Sequence, residues 1–234
     1  MNTLFRTASL ASSRVSRFPS RPRGTSGLRL QLKPVILACW AACSVAIAAE
    51  QPELPISVLV LNRADVSEKT LGEMKSEAGY VLGKAGIVIT WIDCPSSKEP
   101  TEATSPCKAP LGDPKFLVTI TGGRFAHNSS AWNSRLGYAS VRPKGGSYAA
   151  VMMGAVGELA RGQQLVSKGQ ILGHAVAHEI GHLLMGTNSH SSRGLMRGNW
   201  KVDALHEMAE RQLLFSEADV ERMRASAATL RDEL

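Results

Sequence analysis

The chain predicts a mixed α/β (α+β) domain: a mostly parallel five-stranded sheet with one antiparallel edge strand, a backing helix, a long helix carrying the chemistry, and a C-terminal helix. Three observations point there. The element order is β-α-β, then strands, then helices, and a strand-helix-strand start gives a right-handed parallel crossover. Residues 56–61 (ISVLVL) form a continuous apolar run, the pattern of a strand covered on both faces. The 234 residues are 44% hydrophobic and 20% charged, which suits one globular domain and excludes disorder, collagen and coiled coil.

The elements follow in order. Residues 67–83 place Leu71, Met74, Ala78 and Leu82 on one helical face. Gly86 breaks the chain, and residues 87–92 (IVITWI) give the second strand. A loop over residues 94–115 holds five prolines. Residues 116–121 are the third strand, and residues 136–141 and 148–153 are two more, joined by a hairpin turn at Pro143-Lys144-Gly145-Gly146. That turn is not a phosphate loop, since it lacks the spacing and follows the wrong element. Ser167 and Gln170 form a capping box that opens a helix over residues 168–185, and Gly186 ends it. Ser216, with Asp219 at the third position, caps the last amphipathic helix. There is no internal repeat.

The net charge of +7 comes from the leader. Residues 1–49 hold Arg6, Arg14, Arg17, Arg21, Arg23, Arg29 and Lys33 and no acidic residue, which leaves residues 50–234 neutral overall. The body therefore has no electrostatic reason to bind nucleic acid or anionic lipid. Behind Lys33, residues 35–49 are an apolar run ending in the small-x-small site Ala46-Ile47-Ala48, the form of a signal peptide. The run is short of the roughly twenty residues a membrane span needs. The expected location is secreted or periplasmic, without stable membrane insertion after cleavage. An uncleaved leader acting as an anchor and an organellar transit peptide are the alternatives. Cys94 and Cys107 remain as an even pair around the proline-rich loop, and outside a reducing compartment they are expected to form a disulfide.

The chemistry concentrates in His178-Glu179-Ile180-Gly181-His182, an HExxH pattern inside the capped helix. Four of the six histidines lie between residues 174 and 190. Residues four apart on a helix sit about 40° apart and one turn up, so His178 and His182 can share one Zn²⁺ at about 2.0–2.1 Å. Glu179 points toward the water such an ion would activate and is the candidate general base. A catalytic zinc normally takes three protein ligands. His174 lies about 12 Å along the axis from His182, too far to share the ion, and is expected to support the site or pack in the core. Gly186 can reverse the chain and return His190 as the third ligand. A glutamate from a later helix, Glu207 or Glu210, is the rival third ligand, as in gluzincins. His206 and His127 read as ordinary polar residues.

These residues resemble a metzincin, and within that clan the chain is most similar to matrixins. The resemblance runs through HEIGH, Gly186, His190 and then Ser191-Ser192-Arg193-Gly194-Leu195-Met196, where Met196 matches the methionine of the turn beneath the zinc. Upstream, Leu136-Gly137-Tyr138-Ala139 resembles the edge strand that binds extended peptide. The spacing departs from H-E-x-x-H-x-x-G-x-x-H: the glycine comes one residue later and the histidine two, which puts Asn188 at the usual ligand position. The stretch between the cleavage site and Ile56 is too short for a prodomain.

The resemblance implies a zincin fold, with residues 1–49 as Arg-rich leader plus signal peptide and residues 50–234 as one metzincin-like catalytic domain. In that domain residues 50–186 hold the sheet and active-site helix, and residues 187–234 a small C-terminal subdomain. It implies a hydrolase, a metalloprotease with one catalytic Zn²⁺ on His178, His182 and His190, and Glu179 as base. Gly186 and Met196 give structural support, and a peptide or protein substrate lies along Leu136, Gly137, Tyr138 and Ala139. No tyrosine or arginine stands out for the oxyanion, so zinc takes that role. A zinc-binding envelope protein without proteolytic activity and a zinc hydrolase of a non-peptide substrate are the alternatives.

Overall fold

A computed structural model describes residues 53–95, 107, 115–123, 135–141 and 147–232, with side chains as far as residue 226. The leader, the turn at residues 143–146 and His127 lie outside the described residues. Strand β1 (Leu54–Arg63) has β2 (Ile87–Cys94) on one side and β3 (Lys115–Thr121) on the other. Beyond β3 come β5 (Tyr148–Met152) and, at the margin, β4 (Gly137–Ser140). β2, β1, β3 and β5 run parallel, and β4 alone is antiparallel, against β5. Val58, Leu59 and Val60 are consecutive and all buried, as the continuous apolar run requires of a strand covered on both faces.

Helix α1 (Glu68–Lys84) begins at Ser67, whose side chain accepts from the Thr70 amide, and buries Met74, Ala78, Val81 and Leu82. Helix α3 (Lys168–Met185) begins at the capping box. Ser167 Oγ accepts from the Gln170 amide at 3.0 Å, and Gln170 Oε1 accepts from the Ser167 amide at 2.9 Å. Fifteen of its eighteen residues are buried, so the helix is enclosed on all sides. Its polar side chains His174, His178, Glu179 and His182 are all buried, and that sets the electrostatics of the site.

Two helices arise without a sequence signal: α2 (Met153–Leu159) and α4 (Val202–Ala209). Their N-cap positions, Met152 and Lys201, make no side-chain capping bond. The three helices expected from the sequence all start at serines. In α5 (Glu217–Asp232), Ser216 Oγ accepts from the Asp219 amide at 3.3 Å. Among the described residues the sheet has the expected five strands, five helices stand where three were expected, and Met153 opens α2 instead of ending β5. Cys94, at the end of β2, is disulfide-bonded to Cys107.

Candidate metal centre

Helix α3 delivers His178, Glu179 and His182 to one end of a cavity of about 680 Å³. The Nδ1 of His178 is 2.9 Å from the Leu195 carbonyl, and the Nδ1 of His182 is 2.8 Å from the Thr187 carbonyl. A carbonyl only accepts, so each Nδ1 carries the ring proton, and each Nε2 of the neutral ring is left with a lone pair. Burial, reinforced by the neighbouring imidazoles, lowers the pKa of His178 to about 3. Burial likewise lowers that of His182 to about 4, and both rings are neutral at pH 7. Their Nε2 atoms face each other at 3.1 Å. Two acceptors at that distance repel unless a cation lies between them. Tetrahedral zinc at 2.0–2.1 Å from each nitrogen needs a separation of ~3.3 Å, so the pair fits the ion.

The third imidazole arrives through the helix terminus. Gly186 is left-handed (φ 64°), and its amide donates to the His182 carbonyl, which ends the helix and turns the chain back. His190 then stands with its ring centroid 5.3 Å from that of His178 and 4.9 Å from that of His182. Among the described residues, His178, His182 and His190 form a cluster that could hold a metal ion, with one ligand atom from each lying within 4.8 Å of the others. His190 is exposed while the other two are buried, so the centre is open on its third side.

The turn behind His190 is pinned. Ser191 Oγ donates to Asp219 Oδ1 at 2.6 Å, and Ser216 Oγ donates to Asp219 Oδ2 at 2.6 Å. Arg222 completes the set. Burial of Asp219 opposes its ionisation, but these hydrogen bonds outweigh it and hold the carboxyl below its usual range. Met196 is fully buried, and its Sδ lies 2.9 Å from where a Cβ on Gly181 would sit. It therefore packs against α3 at Gly181.

Glu179 is 5% exposed, and its Oε2 has no hydrogen-bond partner among the described residues. Burial raises its carboxyl to about 8, with the positive charge of Arg135 opposing. The edge strand lies directly on it: a Cβ at Gly137 would fall 2.8 Å from Glu179 Oε1 and 2.6 Å from the Ala150 carbonyl oxygen. Only glycine fits there. Leu136, Gly137, Tyr138 and Ala139 all line the cavity, as do Asn188 and the three histidines. Tyr138 faces outward against Tyr148, with ring centroids 5.9 Å apart.

The rival ligands lie elsewhere. Glu207 Oε2 accepts from Arg197 at 2.9 Å, and Glu210 is the exposed C-cap of α4. His206 is exposed. His174 is fully buried, donates from Nδ1 to the Gln170 carbonyl at 2.9 Å and faces Glu77 at 3.9 Å.

Four site residues carry no motif. Trp200 Nε1 donates at 3.3 Å to the Leu195 carbonyl that also receives His178. Arg197 lines the cavity, held by Asp203 at 3.1 Å and Glu207. Arg135 lines it from the start of the edge strand, where the sequence offered no arginine for the site. Asp219 reads in sequence only as a capping-box partner, and its bond to Ser191 needed the fold to appear.

No protein-family model matches the chain, and no curated protein matches it in sequence. Among solved structures it is similar to archaemetzincin (amzA) from Methanopyrus kandleri, with a TM-score of 0.45 and 12% identity over 78% of this chain and 99% of that one. It is similar also to metalloproteinase-II from Bacteroides fragilis, with a TM-score of 0.45 and 14% identity over 76% of this chain. The chain spans 55% of the length of that second protein.

Proposed function

We propose that this protein is an exported zinc-dependent endopeptidase, with His178, His182 and His190 holding one Zn²⁺ and Glu179 acting as general base. The observation that carries the reading is the 3.1 Å separation of two lone-pair-bearing Nε2 atoms, each fixed in its tautomer by a backbone carbonyl, which is how ligating histidines are oriented. Zinc held there would lower the pKa of water to about 7 and polarise a carbonyl. Glu179 takes the proton of the attacking water and returns it to the leaving amine. With a cation on the imidazoles, the raised Glu179 pKa would fall, favouring the carboxylate that a base requires. Strand β4 ends the sheet with its outer edge unpaired by any described strand, so an extended peptide can add to it through backbone hydrogen bonds. That open edge favours a peptide over a small molecule as substrate.

Export is supported by the leader pattern and by the Cys94–Cys107 disulfide, which persists in oxidising compartments. Among the described residues no helix is long and apolar enough to cross a membrane.

Metal content by mass spectrometry, with cleavage of a peptide library beside it, tests the reading on the full chain. One zinc per chain is expected, lost in His190→Ala and kept in Glu207→Ala and Glu210→Ala, with library cleavage lost in Glu179→Gln. A wild-type chain that takes no zinc on reconstitution would overturn the reading. Zinc lost only in one of the glutamate variants would move the third ligand to that residue.

A further inference from the structure

The three imidazoles are not held alike. Those of His178 and His182 are each fixed at Nδ1 by a backbone carbonyl. The ring of His190 rests on a stretch of bare backbone instead. A Cβ on Gly198 would fall 3.1 Å from His190 Cγ, 3.2 Å from its Nδ1 and 3.4 Å from its Cβ, closer than the roughly 3.5–4.0 Å of an ordinary carbon contact. Both sides of that contact are anchored. Next to His190, the Ser191 amide donates to the Met196 carbonyl at 2.9 Å, and Ser191 Oγ is held by Asp219. Next to Gly198, Arg197 is tied to Asp203 and Glu207, and Trp200 to the Leu195 carbonyl. A parallel bridge between Ser191 and Arg197 draws the two ends of the loop together. Gly198 is not among the left-handed glycines, so its backbone suits any residue and only the ring above it demands a glycine.

We infer that Gly198 is a positioning residue of the metal centre: its bare backbone sets where His190 stands relative to His178 and His182, and with it the affinity for the ion. This rests on the metal-hydrolase reading above. The contact is made at the root of the His190 side chain, at Cβ and Cγ, so the ring cannot clear a methyl group by turning its far end away. Either the ring tilts or the anchored turn shifts, by a few tenths of an ångström. A bound ion tolerates only about 0.2 Å in its ligand distances. The displacement falls on the third ligand alone, because the other two are carried by α3.

The test is a double-mutant cycle on the full chain, with wild type, Gly198→Ala, His190→Ala and the double variant. Zinc affinity is measured by competition with a chromophoric chelator, and the visible absorption of Co²⁺ in place of zinc reports the ligand geometry. Gly198→Ala should bind zinc about 10–100-fold more weakly than wild type and shift the cobalt bands, with the metal-free melting temperature unchanged. In the His190→Ala background the same substitution should alter neither affinity nor spectrum, because the ring it displaces is gone. A Gly198→Ala chain that fails to fold while the double variant folds also supports the inference, since the methyl group then takes the vacated space. Wild-type affinity and spectrum in Gly198→Ala overturn it, as do an equal loss in both backgrounds and the failure of both variants to fold; each of these leaves the metal reading intact. Zinc affinity that survives His190→Ala unchanged, or a wild type that takes up no zinc, overturns the inference together with that reading.

Discussion

Ser191 Oγ donates to Asp219 Oδ1 at 2.6 Å, tying the residue after His190 to a fully buried carboxylate on the C-terminal helix. The sequence distance is 28 residues, so the loop carrying the third imidazole is held by α5 as well as by the helix that bears the other two. Asp219→Asn should cost about 1–3 kcal/mol of stability at pH 7, because Ser191, Ser216 and Arg222 lose a charged acceptor. Zinc affinity should fall 10–100-fold, the usual effect of removing a group that orients a ligand. The pH sign follows from the depressed carboxyl. Its contribution is present above the unfolded pKa of about 3.9 and is lost as the pH falls through the lower folded value. Urea unfolding of the two proteins should therefore converge under strong acid; a gap independent of pH would mean that the ionised carboxylate is not what stabilises the turn.

Glu179 gives the opposite sign. Its folded carboxyl titrates near 8 against about 4.3 unfolded, so in zinc-free protein its contribution is complete below pH ~4.3 and is lost as the pH rises through 8. Glu179→Gln cannot ionise. Its melting temperature without zinc should exceed that of wild type by a margin that widens from pH 5 to pH 9. Peptide hydrolysis should drop by about 10²–10⁴, the range for a general base. A variant less stable than wild type at pH 9 would show that Oε2 has a partner in solution which the amide cannot replace.

How much of this was legible in the sequence depends on the range of each interaction. Ser167 and Ser216 mark helix starts because a cap is local, and Gly186 marks a stop for the same reason. Helices α2 and α4 begin at Met152 and Lys201 without a side-chain cap, so no local signal existed to read. His178, Glu179 and His182 share one helix and declare themselves by spacing alone. Arg135, Trp200 and Asp219 join the site through sheet pairing, a shared carbonyl and a long-range hydrogen bond. Each depends on the folded chain, and none has a period or motif that marks it.

Gly137 is where the edge strand and the base meet, and its substitution separates function from folding. A methyl group there meets the Ala150 carbonyl at 2.6 Å and Glu179 Oε1 at 2.8 Å. Gly137→Ala should cost about 1–3 kcal/mol from overpacking. It should also displace both Glu179 and the strand that receives substrate, so kcat/KM should fall by more than the stability loss explains. Thermal unfolding and cleavage rates on the same sample check this. A variant with wild-type kcat/KM would mean that the strand slides away from Glu179 and that its close approach is not needed for turnover.

Trp200 offers an optical report on the metal centre. Its ring centroid is 5.7 Å from that of His178, and the two residues share the Leu195 carbonyl as acceptor. An ion captured by His178 perturbs a tryptophan this close. Adding zinc to the metal-free chain should change tryptophan emission in wild type with one saturable transition, although three other tryptophans are present. Trp200→Phe keeps the ring edge against the imidazole but removes the N–H donor. It should abolish the emission change while lowering zinc affinity less than tenfold, since a neutral hydrogen bond is worth about 0.5–1.5 kcal/mol. An emission change that persists in Trp200→Phe would place the bound ion near another tryptophan and away from His178, and the metal assignment would fall with it.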